Sequence, residues 1–220
     1  MNRAALKEQA RAQIKGHIGI LFVITLIVAL LAAVATRIPY VGALAFSVVL
    51  TPAFGLAMVK IYLNLTKGIN PEIGHLFSEI KNFWSAFKVT FLTGLYVALW
   101  SILFVIPGIV KAFAYSQAMF ILAENPEIGA REALKRSAAM MDGHKMDMFV
   151  LYLSFIGWAL LCVITLGIAY IWVGPFMSAT FTNFYKSLKG EEEVPAIEED
   201  VEEEEEAEEY NPDEDDPFAN

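Results

Sequence analysis

Long runs of apolar residues without a charged side chain alternate along the chain with segments rich in lysine and arginine. Residues 18–36 form an uncharged run of 19 residues, and residues 38–59 and 89–110 form runs of 22 residues each. A helix needs about 20 residues to cross a hydrocarbon core about 30 Å thick. The pattern therefore predicts helices that span a membrane.

Two further apolar runs extend this pattern. Residues 109–123 are interrupted only by Lys111, and residues 148–185 run for 38 positions without a charge. The longer run is about twice one crossing, so it predicts two helices hinged near residues 165–167. A turn is expected at Pro107-Gly108. The predicted fold is an all-α membrane protein of about six transmembrane helices, at residues 18–36, 38–59, 89–107, 109–123, 148–165 and 168–185.

A pentapeptide, Asn-Pro-Glu-Ile-Gly, occurs at residues 70–74 and again at residues 125–129, which is 55 positions later. Asparagine can cap a helix, proline suits the first helical position, and glutamate favours the positive end of the helix dipole. Both copies therefore predict helix starts. The alternative is that ordinary capping chemistry produced the match by chance.

Amphipathic segments follow both copies and also precede the first apolar run. The first has the apolar face Ile73, Leu76, Phe77, Ile80, Phe83, Trp84 and Phe87. The second opposes Ala130, Ala133, Leu134, Ser137 and Met141 to Arg131, Glu132, Lys135 and Arg136. At the beginning of the chain, the apolar residues Leu6, Ala10 and Ile14 lie beside the basic stripe Arg3, Lys7, Arg11 and Lys15. The predicted architecture is three parallel hairpin repeats, each preceded by a cytoplasmic interfacial amphipathic helix.

The distribution of charge orients the predicted helices. Residues 1–189 hold 16 basic and 8 acidic side chains. Six spans would place 14 of the basic residues on one side, leaving Arg37 and Lys111 on the other. The positive-inside rule then predicts a multi-pass protein of the cytoplasmic membrane with both termini in the cytoplasm. Two alternatives are a five-span arrangement, with the chain's end outside, and a signal peptide cleaved near residues 33–35.

The last part of the chain differs in composition from the rest. Residues 190–220 hold 17 acidic and no basic side chains, which brings the net charge of the chain to -9. Such a segment has too little apolar surface to form a packed core. Residues 190–220 are therefore predicted to be a disordered acidic cytoplasmic tail.

Residues that could carry catalysis are sparse. The predicted spans contain no Asp, Glu or His, and Lys111 can reach the outer interface with its long side chain. The three histidines, His17, His75 and His144, lack a second ligand at a metal-binding spacing, and Cys162 is the only cysteine. Catalytic residues, metal sites and cofactors are therefore not expected, and neither is binding to nucleic acid.

The candidate contact residues lie at the predicted cytoplasmic boundary. An aromatic ring and a set of basic side chains suit anionic lipid head groups or a protein partner. The candidates are Trp84, Arg131, Lys135, Arg136, His144 and Lys145.

Many short motifs occur in a characteristic order between residues 106 and 188. Among them are Ile106-Pro107-Gly108-Ile109, Tyr115-Ser116, Lys135-Arg136-Ser137, Gly143-His144-Lys145, Leu166-Gly167-Ile168 and Asn183-Phe184-Tyr185. These resemble the bacterial integral-membrane family catalogued as domain of unknown function 975. The resemblance is weaker over the first two predicted spans and does not extend to the acidic tail. It implies a bacterial cytoplasmic membrane protein from a Gram-positive organism, and brings no activity or catalytic residue.

The expected function is therefore non-enzymatic: a membrane scaffold or regulatory partner in envelope maintenance. A channel or transporter-like permeation protein is one alternative, because proline and glycine interrupt the spans. A lipid-handling membrane protein is another, because the Trp84-bearing helix and the basic loops suit anionic lipids.

Overall fold

The computed structural model describes residues 3–35, 37, 50–165 and 167–190. All regular secondary structure in these ranges is helical, which confirms the all-α class. The α-helices are α1 (Arg3–Ile14), α2 (Ile18–Ala35), α3 (Thr51–Leu65), α4 (Ile73–Ser78), α5 (Phe83–Leu103), α6 (Val105–Ala114), α7 (Ala118–Glu124), α8 (Ala130–Met140), α9 (Lys145–Leu153), α10 (Ile156–Ile164) and α11 (Tyr170–Leu188), with a 3₁₀ turn at Glu79–Asn82 between α4 and α5.

Several helical segments are long and apolar enough to cross a membrane. Among the described residues these are Ile73–Ile102 with 30 residues, and Val105–Glu124 and Lys145–Ile164 with 20 each. A fourth candidate is the pair Arg3–Ile14 and Ile18–Val34, whose two helices meet at 88°. Three or four such segments are compatible with a membrane protein. The six separate spans and the hairpin repeat remain predictions, and residue 36, residues 38–49 of the second span, residue 166 and tail residues 191–220 lie outside the described ranges.

The break between the third and fourth predicted spans falls earlier than expected. Phe104 is extended, with φ -156° and ψ 139°, and separates α5 from α6. Pro107 and Gly108 therefore lie in the first turn of α6, where a proline removes no helical hydrogen bond. The predicted turn at Pro107-Gly108 was wrong by about one helical turn.

Two more breaks fall inside predicted spans. Residues 115–117 separate α6 from α7, and residues 154–155 separate α9 from α10. At each break a serine hydroxyl donates to the carbonyl three residues earlier, Ser116 to Phe113 at 2.8 Å and Ser154 to Leu151 at 2.6 Å. Such local hydrogen bonds from a serine hydroxyl to a backbone carbonyl are typical of helix ends and interruptions.

The two pentapeptide copies do not begin helices in the predicted way. In the first copy the residue before the helix is Glu72, and α4 begins at Ile73. In the second copy that residue is Gly129, and α8 begins at Ala130, two positions later than the equivalent start. Neither asparagine is the residue before the helix that follows it, and neither proline occupies the first helical position, so those predicted N-terminal roles were wrong.

Buried side chains concentrate in a base formed by α1, α3, α7, α8 and the second half of α11. Helix α1 packs along α11, with Leu6, Ala10 and Ile14 buried, as the apolar stripe predicted. The amide of Asn183 donates to the carbonyl oxygen of Leu6 at 3.4 Å. Helix α1 is therefore part of the core rather than only an interfacial element.

Exposed apolar side chains concentrate in other elements. Helices α2, α5 and α10 and the first half of α6 carry large apolar residues on their surface, including Val34, Leu99, Ile106 and Val163. A soluble protein rarely exposes so much contiguous apolar surface. The described chain therefore combines a packed base with apolar helices that suit a hydrocarbon environment.

Candidate functional site

An open cleft of about 440 Å³ lies in the base, where residues from α3, α7 and α11 meet. Its walls are rich in polar side chains, although most of the surrounding core is apolar. The polar residues that line it are Lys60, Asn64, Lys67, Glu124, Asn125 and Lys189.

Glu124 is held on one wall of the cleft by two residues of the last helical segment. The hydroxyl of Tyr185 donates to its Oε2 at 2.5 Å, and Lys189 Nζ lies 3.2 and 3.0 Å from its two carboxylate oxygens. The Tyr185 ring stacks on Phe120 at 5.1 Å between centroids. These contacts fix the carboxylate at the end of α7 and neutralise its charge.

Lys60 also lines the cleft and pairs with a buried carboxylate. Its Nζ is 2.6 Å from Oε1 of Glu79, a residue that is only 2% exposed. The Asn82 amide donates to Oε2 of Glu79 at 2.7 Å. A buried charge is tolerated when it is paired and hydrogen-bonded, and this carboxylate meets both conditions.

Two polar side chains of the cleft lack such partners. Lys67, just after α3, and Asn64, within α3, make no side-chain hydrogen bond or ion pair within the described ranges. Lys60 and Lys189 are offset by Glu79 and Glu124 respectively. The cleft therefore carries about one uncompensated positive charge, at Lys67.

The basic candidates on α8 form an exposed face. Arg131, Lys135 and Arg136 are exposed, and Arg136 pairs with Glu132 at 3.0 Å. The opposite face is buried, as predicted, with Ala133, Leu134 and Ser137 inside the base.

A buried serine fixes α8 to the break between α6 and α7. The Ser137 hydroxyl donates to the Ala114 carbonyl at 2.8 Å and accepts from the Gln117 backbone N–H at 3.1 Å. This bridge satisfies two backbone groups at the break. It also holds the outward basic face in a defined orientation.

His144 and Lys145 lie where α9 begins, and each contacts an aspartate. His144 Nδ1 is 3.4 Å from Oδ2 of Asp147, which also lies 3.7 Å from Arg3. Lys145 Nζ donates to Oδ1 of Asp142 at 3.0 Å. This hydrogen bond lowers the pKa of the exposed Asp142 carboxyl below its ordinary value.

Trp84 occupies a different part of the described chain. It is 59% exposed on α5, stacks on Phe87 at 5.6 Å, and lies under the Lys88 ammonium at 5.6 Å. No hydrogen bond, ion pair or ring contact joins it to the basic candidates among the described residues. The six candidates thus do not form one cluster, and their role in binding stays a prediction.

The cleft residues were not predicted from the sequence. Glu79, the partner of Lys60, gave no clear signal either, because it lies among the polar residues Ser78, Lys81 and Asn82. Glu124 and Lys189 are 65 positions apart, so no local pattern in the sequence indicates that they pair.

Comparison with known proteins gives a family and no function. A family model matches residues 1–113 and 102–192, and its description is protein of unknown function (DUF975). No curated protein matches the chain. No solved structure matches it either.

Proposed function

The chain belongs to the DUF975 family, and from that premise we propose that it is a non-enzymatic scaffold or regulatory partner of the cytoplasmic membrane, acting in envelope maintenance. The proposed architecture has six spans, cytoplasmic termini and a cytoplasmic acidic tail. The proposed docking surface is the outward face of α8, defined by Arg131, Lys135 and Arg136.

The observation that supports the scaffold role is that the helix carrying this basic face is fixed to the base by packing and hydrogen bonds. Ala133 and Leu134 anchor the inner side of α8 in the base, and Ser137 bonds to two backbone groups of another segment. A preorganised surface loses less conformational entropy when a partner binds. Arg131 and Lys135 have no ion-pair partner within the described ranges, so both charges are available to an acidic partner.

Copurification from native membranes in mild detergent tests this role. The variant carries Arg131→Gln, Lys135→Gln and Arg136→Gln. The matched control carries Lys15→Gln, Lys81→Gln and Lys88→Gln, which removes the same charge elsewhere. A stoichiometric protein partner that is lost only from the α8 variant supports the proposal. No stoichiometric partner, or equal loss from both variants, contradicts it. A chain ending at Gly190 separates binding by the tail from binding by the body.

Thiol labelling tests the proposed orientation. Cys162 is the only native cysteine, so Cys162→Ser gives a background for single cysteines. We expect Arg37→Cys to react with an impermeant maleimide on intact cells, and Gly190→Cys to react only in permeabilised cells. Labelling of Gly190→Cys on intact cells would favour five spans.

Lipid handling is a second candidate, and the surface of the segment 73–102 favours it. Exposed apolar residues recur at steps of three, four or seven positions, at Ile73, Phe77, Ile80, Trp84, Phe91, Leu95, Leu99 and Ile102. Such a surface, with tryptophan and nearby lysine, suits the boundary between head groups and acyl chains. This candidate would be favoured if less anionic lipid is retained by the protein when Lys135, Arg136 and Lys145 are replaced by glutamine. Unchanged retention would argue against it.

A further inference from the structure

We infer that the cleft between α3, α7 and α11 is a binding site for a phosphate group. This inference concerns residues other than the proposed α8 docking face and does not rest on the scaffold role. The volume of the cleft, about 440 Å³, falls within the roughly 300–1,000 Å³ typical of ligand pockets.

The hydrogen-bond donors of the cleft carry the assignment. Lys67 and Asn64 present an ammonium and an amide without side-chain partners within the described part of the chain. Lys60 uses part of its ammonium on a carboxylate, and an ammonium has three N–H donors. The site therefore offers several N–H groups to one acceptor-rich ligand. A phosphate group, with oxygens on all sides, matches that arrangement.

The charge of the cleft selects the form of the phosphate. Within the described part of the chain, Glu79 pairs with Lys60 and Glu124 pairs with Lys189, whereas Lys67 has no carboxylate partner. A phosphodiester or a singly protonated phosphate monoester carries about one negative charge, whereas a fully ionised monoester carries two. The net charge thus favours the singly charged form.

Among the described residues that line the cleft, Glu124 is the one group that opposes an anion. Its carboxylate already accepts hydrogen bonds from Tyr185 and Lys189, which lowers its repulsion of a ligand. Removing this charge should lessen the repulsion of an anionic ligand further. Glu124→Gln is therefore expected to bind phosphate more tightly than the wild type does, a gain that nonspecific damage to the fold would not produce.

Titration calorimetry of the full chain in maltoside micelles, which contain no phosphate, tests the assignment. One arm uses inorganic phosphate and the other uses short-chain phosphatidylglycerol. We expect Lys67→Gln to weaken binding at least about fivefold, as loss of one charge-assisted hydrogen bond implies. The matched control, Lys15→Gln, removes an exposed lysine outside the cleft and should leave affinity within about twofold.

The two arms also identify the source of the phosphate. Binding of phosphatidylglycerol without binding of inorganic phosphate assigns the cleft to a lipid head group, and binding of inorganic phosphate assigns it to the free ion. The inference is overturned if neither probe binds, or if Lys67→Gln and Lys15→Gln weaken binding equally. It is also overturned if Glu124→Gln, with its thermal unfolding unchanged, binds no more tightly than the wild type.

Discussion

Lys60 and Glu79 form an ion pair at 2.6 Å that joins α3 to the 3₁₀ turn ahead of α5. The two ends of this pair differ in environment, because the Lys60 side chain is 37% exposed and the Glu79 side chain is 2% exposed. Removing Lys60 and removing Glu79 should therefore change the stability of the protein by different amounts. A charge left alone in the base cannot be hydrated, whereas one at the surface can.

Lys60→Met should destabilise the protein more than Glu79→Gln. Lys60→Met leaves the buried carboxylate without its cation, at a cost of about 2–4 kcal/mol, whereas Glu79→Gln leaves a lysine that can turn to water, at about 1 kcal/mol. Thermal unfolding of the purified variants in one detergent measures the difference. Lys81→Met, at an exposed neighbouring lysine, is the control and should change little. A larger loss from Glu79→Gln than from Lys60→Met would contradict the asymmetry.

Ser137→Ala should lower stability by about 2 kcal/mol, because it leaves the Ala114 carbonyl and the Gln117 backbone N–H without a buried partner. The Ser137 side chain is fully buried, so water cannot replace the hydroxyl. Denaturant or thermal unfolding checks this loss. Ser154→Ala is the matched control, since the hydroxyl of that exposed serine bonds only to the nearby Leu151 carbonyl within the described ranges, and it should cost less than about 0.5 kcal/mol. Equal losses would argue against the bridge.

Gly108→Ala should disturb the contact between α5 and α6. A Cβ at this position would lie 2.9 Å from the Ser101 Cα and still closer to its hydroxyl oxygen. Such overpacking costs about 1–3 kcal/mol, and small residues are what allow helices to approach closely. Unfolding measurements on the variant should show this loss.

Gly94→Ala in α5 provides the matched control, because a Cβ there would meet nothing within 4 Å. It should be neutral or slightly stabilising, as alanine favours a helix over glycine. Adding Ser101→Gly to Gly108→Ala should recover part of the lost stability. If the double variant is no more stable than Gly108→Ala, the destabilisation does not come from a clash with the Ser101 side chain.

The Asp142 carboxyl should titrate at a lower pH in the folded wild type than in Lys145→Gln. The hydrogen bond from Lys145 favours the ionised carboxylate and so lowers its pKa. Because the pKa of the Asp142 carboxyl is lower in the folded state than in the unfolded state, its ionisation stabilises the fold at pH values above the unfolded pKa of about 3.9. This stabilisation is lost as the pH falls through the folded pKa. Because Asp142 is fully exposed, the effect on stability should be small.

Carbon-13 NMR of labelled aspartate carboxyls measures this pKa, with Asp142→Asn identifying the resonance. Lys135→Gln, which removes an exposed lysine from α8, is the control and should leave the Asp142 titration unchanged. If Lys145→Gln also left the titration unchanged, the hydrogen bond at 3.0 Å would not persist in solution.

Properties that depend on local sequence were predicted well. Uncharged runs of 19 or more residues indicated helices, because only hydrogen bonds within the backbone can satisfy peptide groups in hydrocarbon. The spacing of Leu6, Ala10 and Ile14, and of Ala133 and Leu134, indicated which faces would be buried. Ordered short motifs indicated the family, which the family model confirms over residues 1–192.

The tertiary structure decided what those faces pack against and where each helix begins. The helix begins at the fourth residue of the first pentapeptide, Ile73, but two positions later relative to the second pentapeptide, at Ala130, because neighbouring packing outweighs capping preferences of about 1 kcal/mol. The cleft joins Lys60 of α3, Glu124 of α7 and Lys189 near the end of the described chain. Residues so far apart in sequence meet only through the angles at which helices pack, and local sequence does not specify those angles.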